Sequence, residues 1–137
     1  MIMRLILVLL VSPLLMGVIE AKSTSFEVPS ITVDNYDSEV LQSSLPVVVD
    51  LYANWCPPCR RMKKIVAKLA QKYEGKVKFF LLDVDRSKEL RERFNLKCIP
   101  TFLFIKGGHM VEQQDGSLSE GQFEKKIQSN FFSEKGS

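Results

Sequence analysis

The sequence has few of the residues that metal sites, disulfide scaffolds and nucleic-acid surfaces require. Its 137 residues include only three cysteines and one histidine. The 19 basic residues, set against 16 acidic ones, leave a net charge of +3, and no basic tract carries interleaved aromatic residues. This composition argues against a disulfide-rich scaffold and gives no support for nucleic-acid binding.

A long apolar run is also absent. The longest, near the N-terminus, is broken by Ser12 and Pro13 and falls short of the ~20 apolar residues that cross a bilayer comfortably. We interpret residues 1–21 as a secretory signal that is cleaved after Ala21. An uncleaved membrane anchor is the alternative, because Ile19 occupies a position where a signal usually has a small residue.

Residues 22–137 are expected to form a single domain in which strands and helices alternate. The segments, in chain order, are SITV, NYDSEVLQ, PVVVDLYA, a helix from Pro57, VKFFLLDVD, SKELRERF, TFLFI, MVEQQ and a final helix capped by Ser119. Strands separated by helices predict an α/β fold with a parallel core flanked by helices. The last two strands, joined by a tight KGGH turn, add an antiparallel hairpin.

The stretch NWCPPCRRM carries the most specific signal for chemistry. Cys56 falls where a central strand meets a helix, and the helix start stabilises a thiolate there. Cys59 lies one turn later, within bonding range of Cys56. The sequence therefore predicts a reversible redox pair with no cofactor beyond the two thiols.

Two alternatives to a redox pair stay open at this point. A zinc site would use the three cysteines and His109, but His109 follows two glycines in a turn and no second paired motif is present. A structural staple would gain little stability, because cross-linking so short a loop hardly constrains the unfolded chain. Cys98, the third cysteine, is interpreted as a small hydrophobic residue, and a regulatory thiol or a link in a dimer are the alternatives.

The two prolines inside the pair affect the thiolate. Pro57 suits a first helical position, since its missing N–H would have had no partner there. With no N–H on Pro57 or Pro58, fewer backbone donors point at Cys56. We therefore expect a thiolate that is stabilised only moderately, which favours a reductant over a strong oxidant.

The segments VVVDLYANWCPPCRRM, CIPTFLFIKGG and DGSLS together resemble the thioredoxin family, and the resemblance runs from about Ser25 to Phe131. The resemblance implies the thioredoxin fold, with Cys56 as the attacking thiol and Cys59 as the resolving thiol. Asp50 matches the family's buried acid, which helps to move the proton of the resolving cysteine. An acid inside VVVDLY is costly to bury without a purpose.

The same resemblance implies the substrate-binding residues. Trp55 matches the tryptophan that flanks the site, and Pro100 matches a cis-proline whose loop faces the cysteines. The backbone of Ile99 is expected to pair with an extended substrate segment. Gly116 matches a glycine of the substrate groove.

The sequence departs from the family's common pattern at the acid and in the motif. Pro57 and Pro58 replace the commoner Gly-Pro. The lysine that often neighbours the buried acid aligns with Leu81, so burial should raise the pKa of Asp50 further.

We therefore expect an exported thiol–disulfide oxidoreductase that reduces protein disulfides in a bacterial periplasm. Secretion, or another part of the secretory pathway, is the alternative location. Its electrons would come from a membrane-embedded thiol reductase, and the chain is expected to act as a monomer that binds no nucleic acid. A disulfide oxidase or isomerase of the same fold is one alternative. A thioredoxin-fold binding module without turnover is another.

Overall fold

A computed structural model of the chain describes residues 26–134, so the predicted signal of residues 1–21 lies outside the described residues. The strands are β1 (Ser30–Ile31), β2 (Val47–Tyr52), β3 (Lys78–Asp83), β4 (Thr101–Lys106) and β5 (His109–Asp115). The helices are α1 (Val33–Tyr36), α2 (Pro57–Lys72), α3 (Lys88–Arg93) and α4 (Glu120–Ile127). Short π-helical turns extend α1 to Leu41 and α4 to Phe132. The predicted order of elements is confirmed.

The five strands form one mixed sheet in the order β1-β3-β2-β4-β5. β1, β3 and β2 run parallel, whereas β4 pairs antiparallel with β2 and β5 antiparallel with β4. The predicted α/β fold, with a parallel core and an antiparallel C-terminal hairpin, is therefore confirmed. The hairpin packs directly against β2, which makes β2 the central strand.

Two hydrophobic cores lie on opposite faces of this sheet, because successive side chains of a strand point to opposite sides. Val49 and Leu51 of β2 belong to the core that α1 and α3 cover. Val48 belongs to the other core, together with side chains of α2 and α4. By the same alternation, Asp50 points to the face that α2 covers.

The sequence of α2 explains where the helix begins and which face it buries. Cys56 is the N-cap residue and Pro57 is the first helical residue, where a missing N–H costs nothing. Met62, Val66 and Leu69 repeat at helical spacing and are buried. The opposite face of the helix carries basic side chains in solvent.

The β4–β5 hairpin is closed by Gly107 and Gly108, with φ of 59° and 76°. Positive φ at both turn residues is the requirement of a primed two-residue turn, which glycine meets without strain. Packing also requires glycine at position 108, because a Cβ atom there would lie 2.7 Å from the carbonyl oxygen of Leu41. The turn is shorter than predicted, because Lys106 and His109 belong to the strands.

Within residues 26–134, no helix combines the length and the apolar character that crossing a bilayer needs.

Candidate active site

The junction of β2 and α2 brings the two cysteines of NWCPPCRRM together. Cys56 and Cys59 form a disulfide with 5.3 Å between their Cα atoms. Both residues are buried, and Cys59 is fully so. The pair therefore lies at the carboxyl end of the central strand, where open α/β sheets tend to place their sites.

The backbone around Cys56 offers its sulfur a limited number of donors. The N–H of Cys59 donates to the Sγ of Cys56 at 3.2 Å. Pro57 and Pro58, the two residues between the cysteines, have no N–H. The helix start therefore stabilises a thiolate on Cys56 through the N–H of Cys59 and through the positive end of the α2 dipole.

The loop before β4 faces the disulfide. The carbonyl oxygen of Ile99 lies 3.9 Å from Cys56 Sγ, across 43 residues of sequence. The Ile99–Pro100 peptide bond is cis. The N–H of Gly116, which has φ of 84°, donates to the carbonyl oxygen of Pro100 at 2.8 Å. These contacts bring Ile99, Pro100 and Gly116 to the same side of the site as Cys56.

Trp55 stands at the rim of the site. Its side chain is one of the few exposed large hydrophobic groups, at 66% exposure. The indole Nε1–H donates to Asp85 Oδ2 at 2.9 Å. A shallow groove of about 150 Å³ runs beside the ring, with Ile99 and Cys98 in its lining. An aromatic surface next to a groove is suited to an extended peptide segment.

Asp50 is fully buried on the central strand, two residues before the end of that strand. Neither carboxylate oxygen has a hydrogen-bond partner within the described residues. Desolvation raises the pKa of Asp50 to about 7, and the positive charge of Lys63 opposes that rise. Such a carboxyl group can both accept and release a proton near neutral pH, which is the property that a general acid–base group needs.

Comparison with known proteins decides the family. The thioredoxin family model matches residues 27–129. The chain belongs to the thioredoxin family. It is 39% identical to a thioredoxin of Chlorobaculum thiosulfatiphilum, over 68% of this chain and 86% of that protein.

Two further relatives are also thioredoxins. Thioredoxin 1 of a Nostoc species is 36% identical over 64% of this chain and 82% of its own length. The chloroplastic thioredoxin M-type of Pisum sativum is 32% identical over 80% of this chain and 64% of its own length. As a member of the thioredoxin family with a CxxC pair, the chain is a thiol–disulfide oxidoreductase.

One residue on the helix that carries the cysteine pair was not singled out from the sequence. Lys63 lies on α2, and its Nζ is 4.8 Å from the centre of the Tyr52 ring. In the sequence, Lys63 is one of several lysines in an amphipathic helix, so it reads as part of a solvated face. The one available signal was its spacing of four residues from Cys59, which puts both side chains on the same side of the helix.

The other candidate residues lie apart from the pair or at its edge. His109 is the first residue of β5, at the turn end of the β4–β5 hairpin. Thr101 pairs with Asp115 at the other end of the hairpin, next to Pro100. Among residues 26–134, no three potential metal-ligating side chains come together. Cys98 is a free, exposed thiol in the lining of the groove beside Trp55.

Proposed function

We propose that this thioredoxin reduces disulfides of exported proteins by dithiol–disulfide exchange through Cys56 and Cys59. The observation that carries the proposal is the position of Cys56 at the start of α2, where the N–H of Cys59 donates to its sulfur and the two intervening prolines have no N–H to donate. A thiolate that is stabilised only moderately remains a good electron donor, whereas strong stabilisation of the reduced form makes an oxidant.

In the first step, the Cys56 thiolate attacks one sulfur of the substrate disulfide. A Cys56–substrate disulfide forms, and the second substrate sulfur leaves as a thiolate that takes a proton. The carbonyl oxygen of Ile99, 3.9 Å from Cys56 Sγ, faces the attacking sulfur. The backbone there and the exposed ring of Trp55 hold an extended substrate segment across the site.

In the second step, Cys59 attacks the Cys56 sulfur of the mixed disulfide. The Cys56–Cys59 bond forms and the substrate leaves fully reduced, so two electrons pass to the substrate. Cys59 must lose its proton before it attacks. Asp50, buried on the central strand with a pKa of about 7, accepts this proton through an intervening water.

Export and the electron donor are part of the same proposal. The support for export is the character of residues 1–21, and the proposed compartment is a bacterial periplasm. Reduction there has to be supplied from across the membrane, so the proposed donor is a membrane-embedded thiol reductase. No cofactor beyond the dithiol is needed, and the proposed partners are disulfide-containing proteins that meet a monomer.

The reduction potential of the Cys56–Cys59 pair tests the direction of electron flow. We expect equilibration against a glutathione series to give a value near the ~−270 mV of reducing thioredoxins. A value of about −120 to −180 mV would instead establish a disulfide oxidase or isomerase. A pair that does not titrate reversibly would contradict both enzyme functions.

Two cysteine variants separate turnover from simple binding. Cys59→Ser lacks the resolving thiol, so it should accumulate mixed disulfides with its substrates on Cys56. Cys56→Ser should accumulate none and should lose exchange activity. A binding module without turnover predicts the opposite result, in which partner capture survives Cys56→Ser.

A further inference from the structure

The basic side chains of α2 differ in whether they have an acidic partner. The helix contains six basic residues and no acidic residue, so any neutralising charge has to come from another element. In the second half of the helix, α4 supplies it, because Lys68 pairs with Glu120 at 2.7 Å and Lys72 pairs with Glu124. These ion pairs lie towards the end of α2 that is farthest from the cysteines.

The first half of the helix, next to the cysteines, lacks such partners. Three exposed basic side chains there form no ion pair within residues 26–134, namely Arg60, Arg61 and Lys64. We call these three side chains the α2 basic patch. The guanidinium group of Arg60 donates to the carbonyl oxygen of Asn54 at 3.1 Å, which holds it beside the loop that leads into Cys56.

The α2 basic patch gains no stability from the dipole of its own helix. The N-terminal end of a helix carries a partial positive charge, so acidic residues stabilise the first turn and basic residues destabilise it. The first turn of α2 contains no acidic residue, and Arg60 lies in it, followed directly by Arg61. Residues that break a local rule of helix stability are expected at functional sites. The patch is therefore better explained by what binds to it than by the stability of the fold.

A shallow depression connects the patch to the redox pair. Its volume is about 400 Å³, and the three cations of the patch line it together with Pro57. Pro57 is exposed and directly follows Cys56 in the chain. A group that binds in this depression therefore lies next to the residue that adjoins the attacking cysteine.

The groove beside Trp55, the residue before Cys56, also carries net positive charge. Its lining includes Arg91 and Lys97, which are exposed and form no ion pair within the described part of the chain. The acid in this lining, Asp85, accepts the hydrogen bond from the indole of Trp55. Cations without acidic partners thus border Cys56 on both of its neighbouring residues.

We propose that the α2 basic patch selects protein substrates whose disulfide is flanked by acidic residues, and that the carboxylates of the substrate pair with Arg60, Arg61 and Lys64. This inference rests on the proposed reduction of protein disulfides and names the class of substrate. Charge complementarity carries it, because the unpaired cations border the cysteine to which a substrate disulfide must come. Arginine suits this task, since its guanidinium group donates two parallel hydrogen bonds to a carboxylate.

Two synthetic peptides test this selection. They share one disulfide-closed loop and differ only in the residues that flank it, which are Glu in one peptide and Gln in the other. The second-order rate of reduction by the reduced protein is measured by acid quenching and thiol labelling. We expect the Glu peptide to react about fivefold faster at low ionic strength, because several exposed ion pairs, each weak, act together. In 1 M salt, where the Debye length is about 3 Å, the ratio of the two rates should approach one.

Reversing the charge of the patch should remove the selection. Arg61→Glu/Lys64→Glu leaves the contact of Arg60 in place and should bring the ratio of the two rates to one or below. The ratio is the appropriate readout, because the same Cys56 thiolate attacks both peptides and any change in its reactivity cancels.

Lys76→Glu/Lys125→Glu is the matched control. It makes the same change of net charge at two exposed lysines that line neither the depression nor the groove. Lys76 also precedes β3, whose amino end lies at the opposite end of the sheet from the cysteines. This variant should keep most of the fivefold ratio. An equal fall of the ratio in both double variants would show a general effect of net charge and would overturn the inference.

The remaining outcomes separate the inference from the proposed function. If the unaltered protein reduces both peptides at the same rate at low salt, the inference is wrong and the reductase function stands. If it reduces neither peptide, the reductase function fails and the inference fails with it. If the two rates are equal and the protein instead sediments with vesicles of phosphatidylglycerol and phosphatidylcholine, the patch binds an anionic membrane surface and the inference is again wrong.

Discussion

The indole N–H of Trp55 donates a hydrogen bond to the carboxylate of Asp85, with 2.9 Å between Nε1 and Oδ2. Trp55 follows β2 and Asp85 follows β3, so the bond links the carboxyl ends of two neighbouring strands at the rim of the site. Because Trp55 is the single tryptophan of the chain, its mobility can be measured directly.

Replacing Asp85 with alanine should therefore free the ring without unfolding the protein. We expect time-resolved anisotropy of Trp55 to show faster local rotation, while the free energy of unfolding falls by no more than ~1 kcal/mol, because the bond is exposed. Glu89→Ala, at another exposed acid, is the control and should leave the anisotropy of Trp55 unchanged. Unchanged anisotropy in Asp85→Ala would mean that packing alone orients the ring.

The buried acid should destabilise the fold in a pH-dependent way. The pKa of Asp50 rises from 3.8 to about 7 in the folded protein because of desolvation. Below pH ~4 the carboxyl is protonated in both states and costs nothing by this route. Between pH ~4 and ~7 the unfolded chain releases the proton more readily than the folded one, so stability is lost as pH rises, and the full penalty of about 4 kcal/mol holds above pH ~7.

Asp50→Asn removes this penalty, so its gain in stability relative to the unaltered protein should grow by up to about 4 kcal/mol between pH 4 and pH 8. Denaturant unfolding of the oxidised proteins at the two pH values measures it. Asp34→Asn, at an exposed position of α1, is the control. An Asp50→Asn gain that is the same at both pH values would show that Asp50 is already ionised in the folded protein at acid pH.

Gly116 allows a clean measurement of backbone strain beside the site. Its φ is 84°, and a Cβ atom added there would meet nothing within 4 Å. Gly116→Ala should therefore lose about 1–2 kcal/mol of stability from the left-handed conformation alone. Gly121→Ala, in the helix α4 and also without close neighbours, should gain ~0.5–1 kcal/mol. If Gly116→Ala leaves the stability unchanged, the loop relaxes to a backbone conformation that alanine adopts without strain.

Cys98 should take no part in the thiol–disulfide exchange reaction. In the oxidised protein it is the free cysteine, and it is exposed, whereas Cys56 and Cys59 are paired. A maleimide should therefore label one thiol in the oxidised protein and three after reduction in denaturant. Cys98→Ser should leave the reduction potential of the pair unchanged. A shifted potential would place Cys98 within the redox reaction.

Most of the fold was predictable because its signals are local. The apolar, β-branched run of β2, the helical repeat of α2 and the Ser119–Gln122 capping box each depend on residues within a few positions of one another. The order of strands in the sheet was not predictable in the same way. No short sequence pattern indicates that β4 pairs antiparallel with β2, because that pairing depends on contacts between residues that are distant in sequence.

The sequence by itself determined the redox pair, because three residues of chain at a helix start bring Cys56 and Cys59 together. It also determined that an acid would be buried at position 50, because apolar residues surround it on the central strand. Only the tertiary structure decided which groups meet these residues. Ile99 reaches Cys56 across 43 residues, and Lys63, one turn along α2 from Cys59, is the cation whose charge acts on the carboxyl of Asp50. Spacing along the chain determines which groups lie together within one helix or strand, whereas their distant neighbours, and the charge and solvation around them, are determined by folding.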